Sequence, residues 1–168
     1  MINWLYYPKN IKIDEMSQNV IHIFEEKADE IDSYTHNYKS DDVLSIVKNG
    51  LINNGFSVEK GKKKEEKIHV PVLFGVNGRI EKAFDADAFH SVSKYIVEVE
   101  AGRAVVNYQF LKDFFEACAM NDIDYLCIAV RNLYNNTKDF EKMCLFFDTL
   151  YQSGRLGIPL KGLLLVGY

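Results

Sequence analysis

Three cysteines, three prolines, one tryptophan and no long apolar run mark what this sequence is short of. Cys118, Cys127 and Cys144 are odd in number and lack metal-ligand spacing. That argues against a disulfide framework or a zinc site and reads as buried free thiols in a reducing, cytoplasmic setting. Apolar runs such as Leu163 to Val166 fall far short of a membrane span, which needs roughly 18 residues. No basic segment followed by an apolar stretch opens the chain, so a signal peptide is not expected. Internal repeats, low-complexity tracts and Pro/Gly/Ser linkers are missing. Gly75 to Gly78 lacks the Lys-Ser/Thr of a P-loop. No serine–histidine or cysteine–histidine nucleophile can be argued from spacing.

What remains is ordinary globular material: 168 residues, 48% hydrophobic and 26% charged. One domain over 1–168 is expected, with a helical extension at 1–39 and a core at 40–168. A net charge of -4 argues against a nucleic-acid partner, but its distribution matters. Residues 1–32 hold seven acids against three lysines, and the rest of the chain is balanced. A metal holding some of those acids would leave a mildly basic surface. The densest basic stretch contains Lys60, Lys62, Lys63, Lys64 and Lys67. It reads equally well as a solvated loop or as a phosphate-contacting one.

Periodicity supplies the elements. Met16, Val20, Ile23, Phe24 and Ile31 predict a helix over 15–31, capped by Asp14. Ser40 caps a second helix, with Asp41 and Asp42 in its first turn and Gly55 past its end. Short strands are expected at 56–59, 68–74, 80–89 and 95–101, with turn chemistry at 75–78. A helix over 107–120 (Asn107 as its cap), a buried strand at 125–130, a helix at 137–152 and a strand at 162–166 complete the chain. This order predicts an α/β fold: a mixed central sheet with helices on both faces.

Two segments carry unusual acids. Alternation along a strand puts Asp85 and Asp87 on one face, and Glu98 and Glu100 on one face. Same-face neighbours lie roughly 7 Å apart, close enough to lean toward one ion. Clustered carboxylates repel unless a proton or cation sits among them. An all-oxygen cluster suits Mg²⁺ or Mn²⁺, and such a site supports phosphodiester hydrolysis. Taken alone, either segment is more simply a strand's solvent face.

The text Phe84-Asp-Ala-Asp-Ala-Phe-His90, then Glu98-Val-Glu-Ala-Gly-Arg103, then Ile128-Ala-Val-Arg-Asn132, resembles the PD-(D/E)XK nuclease superfamily. Within it the resemblance is to restriction enzymes of the BglII and BamHI kind, where E-x-E replaces E-x-K, and to a family of small bacterial proteins with this signature. It spans roughly residues 40–168. It implies a restriction-endonuclease-like αβββαβ core and a Mg²⁺- or Mn²⁺-dependent endonuclease acting on DNA as a homodimer. A weakly catalytic or inactive nucleic-acid-binding or assembly protein on the same fold is the alternative.

By that resemblance Asp87 is the metal-binding aspartate, with Asp85 as competitor. Glu98 is the second ligand, and the Val99 carbonyl a third. Glu100 stands where the lysine is usual and orients or deprotonates water. Asp42 matches the helical acid that completes such sites, although the helix dipole alone explains an acid there. Arg103 is a phosphate contact or a partner for a site carboxylate. Lys94 and His90 read more simply as turn residues.

Overall fold

The computed structural model describes residues 1–168 apart from Lys62, Arg103 and Asn107. The expected cap Asn107 and two expected DNA contacts, Lys62 and Arg103, therefore lie outside the described residues.

The strands β1 (Asn3–Tyr7), β2 (Ser57–Val58), β5 (Ala88–His90), β6 (Tyr95–Val99), β7 (Tyr125–Val130) and β8 (Gly162–Gly167) form one mixed sheet, in the order β1-β8-β7-β6-β5-β2. The three central strands, β6, β7 and β8, run parallel, and the flanking pairs are antiparallel. The runs YLCIAV and GLLLVG are almost wholly apolar because these strands are covered on both faces.

Alternation sorts the side chains into two cores. Tyr95, Val97 and Val99 of β6 face α1 (Glu15–Glu26) and α3 (Ser40–Asn53), packing with Phe24, Val47 and Leu51. Ile96 faces the other way, with Leu126, Ile128, Leu163 and Leu165, onto α4 (Gln109–Ala119) and α5 (Asp139–Ser153) through Phe110, Phe114, Met143 and Phe147. By the same parity Glu98 stands on the α4 side of the sheet.

A separate hairpin, β3 (Ile68–Phe74) and β4 (Ile80–Ala86), rises beside the main sheet. Its turn uses Asn77 and Gly78 at positive φ. The expected single strand over 80–89 breaks at Asp87, where the chain leaves the hairpin and enters the main sheet as β5. The bend is locally satisfied, because the Glu59 amide donates to the Asp87 carbonyl at 2.9 Å.

Two further differences concern the N-terminal region. β1 was not expected, yet Tyr6 and Tyr7 are buried and β1 zips antiparallel along β8. The helix expected over 15–31 divides at Lys27 into α1 and a short α2 (Ala28–Ile31). Asp14 caps α1 as expected, accepting from the Ser17 amide at 2.8 Å.

Candidate active site

The site grows from the C-terminal end of β6. Asp87 is half-buried at the bend, and its Oδ2 accepts the Val99 N–H at 2.8 Å. Burial pushes the Asp87 carboxyl up to about 7; the Val99 amide opposes this, while the charges of Glu59 and Asp113 add to it. Burial also holds Glu98 well above the ordinary carboxylate range, helped by the charges of Asp87, Asp113 and Glu100. Glu100 is pushed up to about 8 by burial, then by the charge of Asp113 and a hydrogen bond with it, then by Asp87. These mutual influences place Asp87, Glu98 and Glu100 in one electrostatic neighbourhood.

Asp113 was not foreseen. It lies on the inner face of α4 and is 6% exposed. A hydrogen bond between the Asp113 and Glu100 carboxyls requires one shared proton, and burial raises Asp113 as well. Its Oδ2 is buried without a partner. The expected helical acid was Asp42, on α3. That helix packs on the opposite face of the sheet from Glu98, and Asp42 is exposed, its carboxylate accepting the Lys39 amide at 3.0 Å. The structure thus uses Asp42 as a helix cap and does not bring it to the cluster. Asp41, one residue earlier, shares a cleft wall with Glu100. The only sequence signal for Asp113 was an acid interrupting the apolar face of a helix.

Basic groups offset the acids. Lys112 Nζ lies 3.6 Å from Asp113 Oδ1 and 3.2 Å from Glu116 Oε2, and its charge reaches Glu98 and Glu100. Lys67 pairs with the buried Glu59 and feels Asp87 and Asp85, so it belongs to the margin of the cluster. Lys60, Lys63 and Lys64 are exposed on the neighbouring loop. Asp85 is exposed and does not share a face with Asp87: it pairs across the hairpin with His69, Oδ1 to Nδ1 at 2.6 Å. His90 accepts the Ser93 amide at 3.0 Å, and Lys94 sits in the turn before β6 at positive φ.

The donor set here is oxygen only, burial and mutual repulsion raise the pKa values of its acids, and one buried oxygen is unpartnered. That chemistry fits a hard divalent cation. Among the described residues, however, no three acid, histidine or cysteine side chains are gathered around one ion-sized position.

No family model matches the chain, and no curated protein is significantly similar to it. Among solved structures it is similar to the crystal structure of free BglII, with a TM-score of 0.51 at 12% identity, over 99% of this chain and 78% of that one. The fold is restriction-endonuclease-like. Among the described residues no helix is long and apolar enough to cross a membrane.

Proposed function

We propose that this protein is a Mg²⁺- or Mn²⁺-dependent endonuclease that hydrolyses phosphodiester bonds in DNA, in the manner of type II restriction enzymes of the PD-(D/E)XK superfamily. The observation that carries the reading is the burial of Asp87, Glu98 and Glu100 about the end of β6, with the charge of Asp113 on α4 acting on each, in a restriction-endonuclease-like fold.

Asp87 and Glu98, with the Val99 carbonyl, would hold the ion. Once bound, it would supply charge for the phosphate and a lowered pKa for water. The chain's own groups do the rest. The Val99 amide fixes the Asp87 carboxylate. Glu100, with the Asp113 carboxyl beside it, would in its ionised form take a proton from water. Lys112 supplies positive charge beside both glutamates, in a sequence that lacks the E-x-K lysine. Lys60, Lys63 and Lys64, with Lys62 and Arg103, would meet the DNA backbone.

Cutting two strands calls for two sites, which a homodimer would supply. Glu100 in the lysine's place favours the second reading, a binding or assembly module with weak or no catalysis.

Plasmid nicking and oligonucleotide cleavage with Mg²⁺ and with Mn²⁺ separate the two readings. Glu98→Gln should lower the rate by about 10²–10⁴-fold while the fold persists. A wild-type protein inert with both ions would favour the binding module, and undiminished activity in Glu98→Gln would move the site elsewhere.

A further inference from the structure

The cleft beside the carboxylates contains a buried cation that the proposed chemistry leaves unused. A cavity of about 540 Å³ opens where the ends of β6 and β7 meet the start of α3, and its walls include Ser40, Asp41, Glu100, Gly102, Arg131 and Asn135. Crevices at the carboxyl ends of parallel strands are where α/β sheets receive ligands.

Arg131 follows the last residue of β7 and is 6% exposed. Its amino groups donate to Asn37 Oδ1, at 2.6 Å, and to the Tyr38 carbonyl. The guanidinium lies over the Tyr134 ring, 5.2 Å from its centroid. These partners are neutral, and none of the ion pairs among the described residues includes Arg131. Asp139, at the start of α5, feels its charge, yet neither Asp139 oxygen has a hydrogen-bond partner. A buried cation without a bonded counter-ion is costly, and a guanidinium has five donors in a geometry that matches phosphate. Tyr168 links this region to the carboxylates: its hydroxyl donates to the Glu100 carbonyl at 2.8 Å, and the charge of Arg131 acts on it.

Asp41 adds negative charge to the same walls, and Glu100 does so when ionised, so a free anion would be poorly held. A phosphate delivered by a strand already engaged nearby is held by its tether as well. We propose that Arg131 positions the substrate strand by binding a phosphodiester close to the one at the carboxylates. This rests on the nuclease reading for the neighbouring phosphate, but binding alone tests it.

A fluorescein-labelled duplex is titrated against Glu98→Gln protein, with and without Arg131→Gln, over a range of salt. Single neutral methylphosphonates are then scanned along one strand. Arg131→Gln should weaken binding about 10- to 100-fold and reduce the slope of log K against log salt by about 0.9. One methylphosphonate should weaken the parent and cost nothing in Arg131→Gln, a coupling that general loosening of the fold would not produce.

If Arg131→Gln does not fold, Asn135→Asp, an exposed change that puts a negative charge on the cleft wall, should weaken binding and abolish the cost of the same methylphosphonate. Unchanged affinity in the folded variant, an uncoupled methylphosphonate cost, or no duplex binding at all would overturn the proposal. Coupling at Arg131 in a protein that never cleaves would sink the nuclease reading alone. Cleavage with Arg131→Gln unaltered in binding would sink this inference alone.

Discussion

The Val99 amide donates to Asp87 Oδ2 across 2.8 Å, so the last residue of β6 holds the bend at which the chain passes from the hairpin to the main sheet. One hydrogen bond therefore fixes the spacing between Asp87 and Glu98, which flanks Val99 in sequence. The same bond opposes the effect of burial on Asp87, because it favours the charged form.

The cluster makes the metal-free protein sensitive to base. Asp87 is raised from 3.8 to about 7 and Glu100 from 4.5 to about 8. A folded state with raised carboxyl pKa values binds more protons than the unfolded chain, so its stability falls as pH rises. The stability is fully present below the ordinary carboxyl pKa values and is lost as pH climbs through about 7 and about 8. Thermal melting without metal should show this decline. Asp87→Asn should flatten it and raise stability at pH above the window by about 1–2 kcal/mol. Melting temperatures that climb with pH over this window would mean the acids are not held protonated.

Much of this arrangement was legible in the sequence. The strand at 125–130 and the helix beginning near Ser40 stand where periodicity put them, because their apolar faces are continuous and their ends carry clear turn chemistry. Glu98 stood out because acids are rare on buried strands, whereas Asp87 stood out only by its spacing from Asp85 and lies at the bend between β4 and β5. β1 was not: a strand at the sheet's edge is defined by its partner, β8, which lies at the far end of the chain. Asp113 was hidden for a related reason. Its role depends on which face of the sheet receives α4, and Asp42 attracted the assignment because helix position alone could not say that α3 covers the other face. The break at Asp87 likewise depends on Glu59, far away in sequence.

Lys112 should matter beyond its own exposed position. Its charge pulls Glu98, Glu100 and Asp113 toward ionisation. Lys112→Gln removes that pull, so these acids rise further and the acidic limb of the pH–rate profile should move to higher pH. Activity at neutral pH should fall by about tenfold or more, within the range of general acid–base contributions. An unmoved acidic limb would assign Lys112 to surface pairing with Glu116 alone.

The lysine loop divides by partner. Lys60, Lys63 and Lys64 are exposed, whereas Lys67 is engaged with Glu59. Each of the exposed lysines that contacts a DNA phosphate should, when changed to Gln, reduce the slope of log K against log salt by about 0.9. Lys67→Gln should instead perturb Asp87 and Glu59 and change stability. No change of slope in the triple variant would leave those three lysines as a solvated loop.

Glu100→Lys tests what the second glutamate of the E-x-E motif does. At present the Glu100 carboxyl is held up by burial and by the neighbouring Asp113 carboxyl, and Asp113 Oδ2 has no hydrogen-bond partner. A lysine at position 100 would meet an acid already in place and convert a repelling pair into an ion pair. It would also introduce the E-x-K pattern of the PD-(D/E)XK superfamily that the sequence resembles. The metal-free variant should therefore melt higher than wild type above about pH 8, where the wild-type pair is losing its proton. On the proposed reading Glu98 and Asp87 would still hold the ion, so cleavage should survive within about 100-fold if position 100 acts only on water. Parallel melting and oligonucleotide cleavage read the two effects separately. A stabilised variant with no activity, and with Mn²⁺ affinity lost in calorimetry, would make Glu100 an obligatory ligand. A variant no more stable than wild type would place Asp113 too far from position 100 to answer its charge.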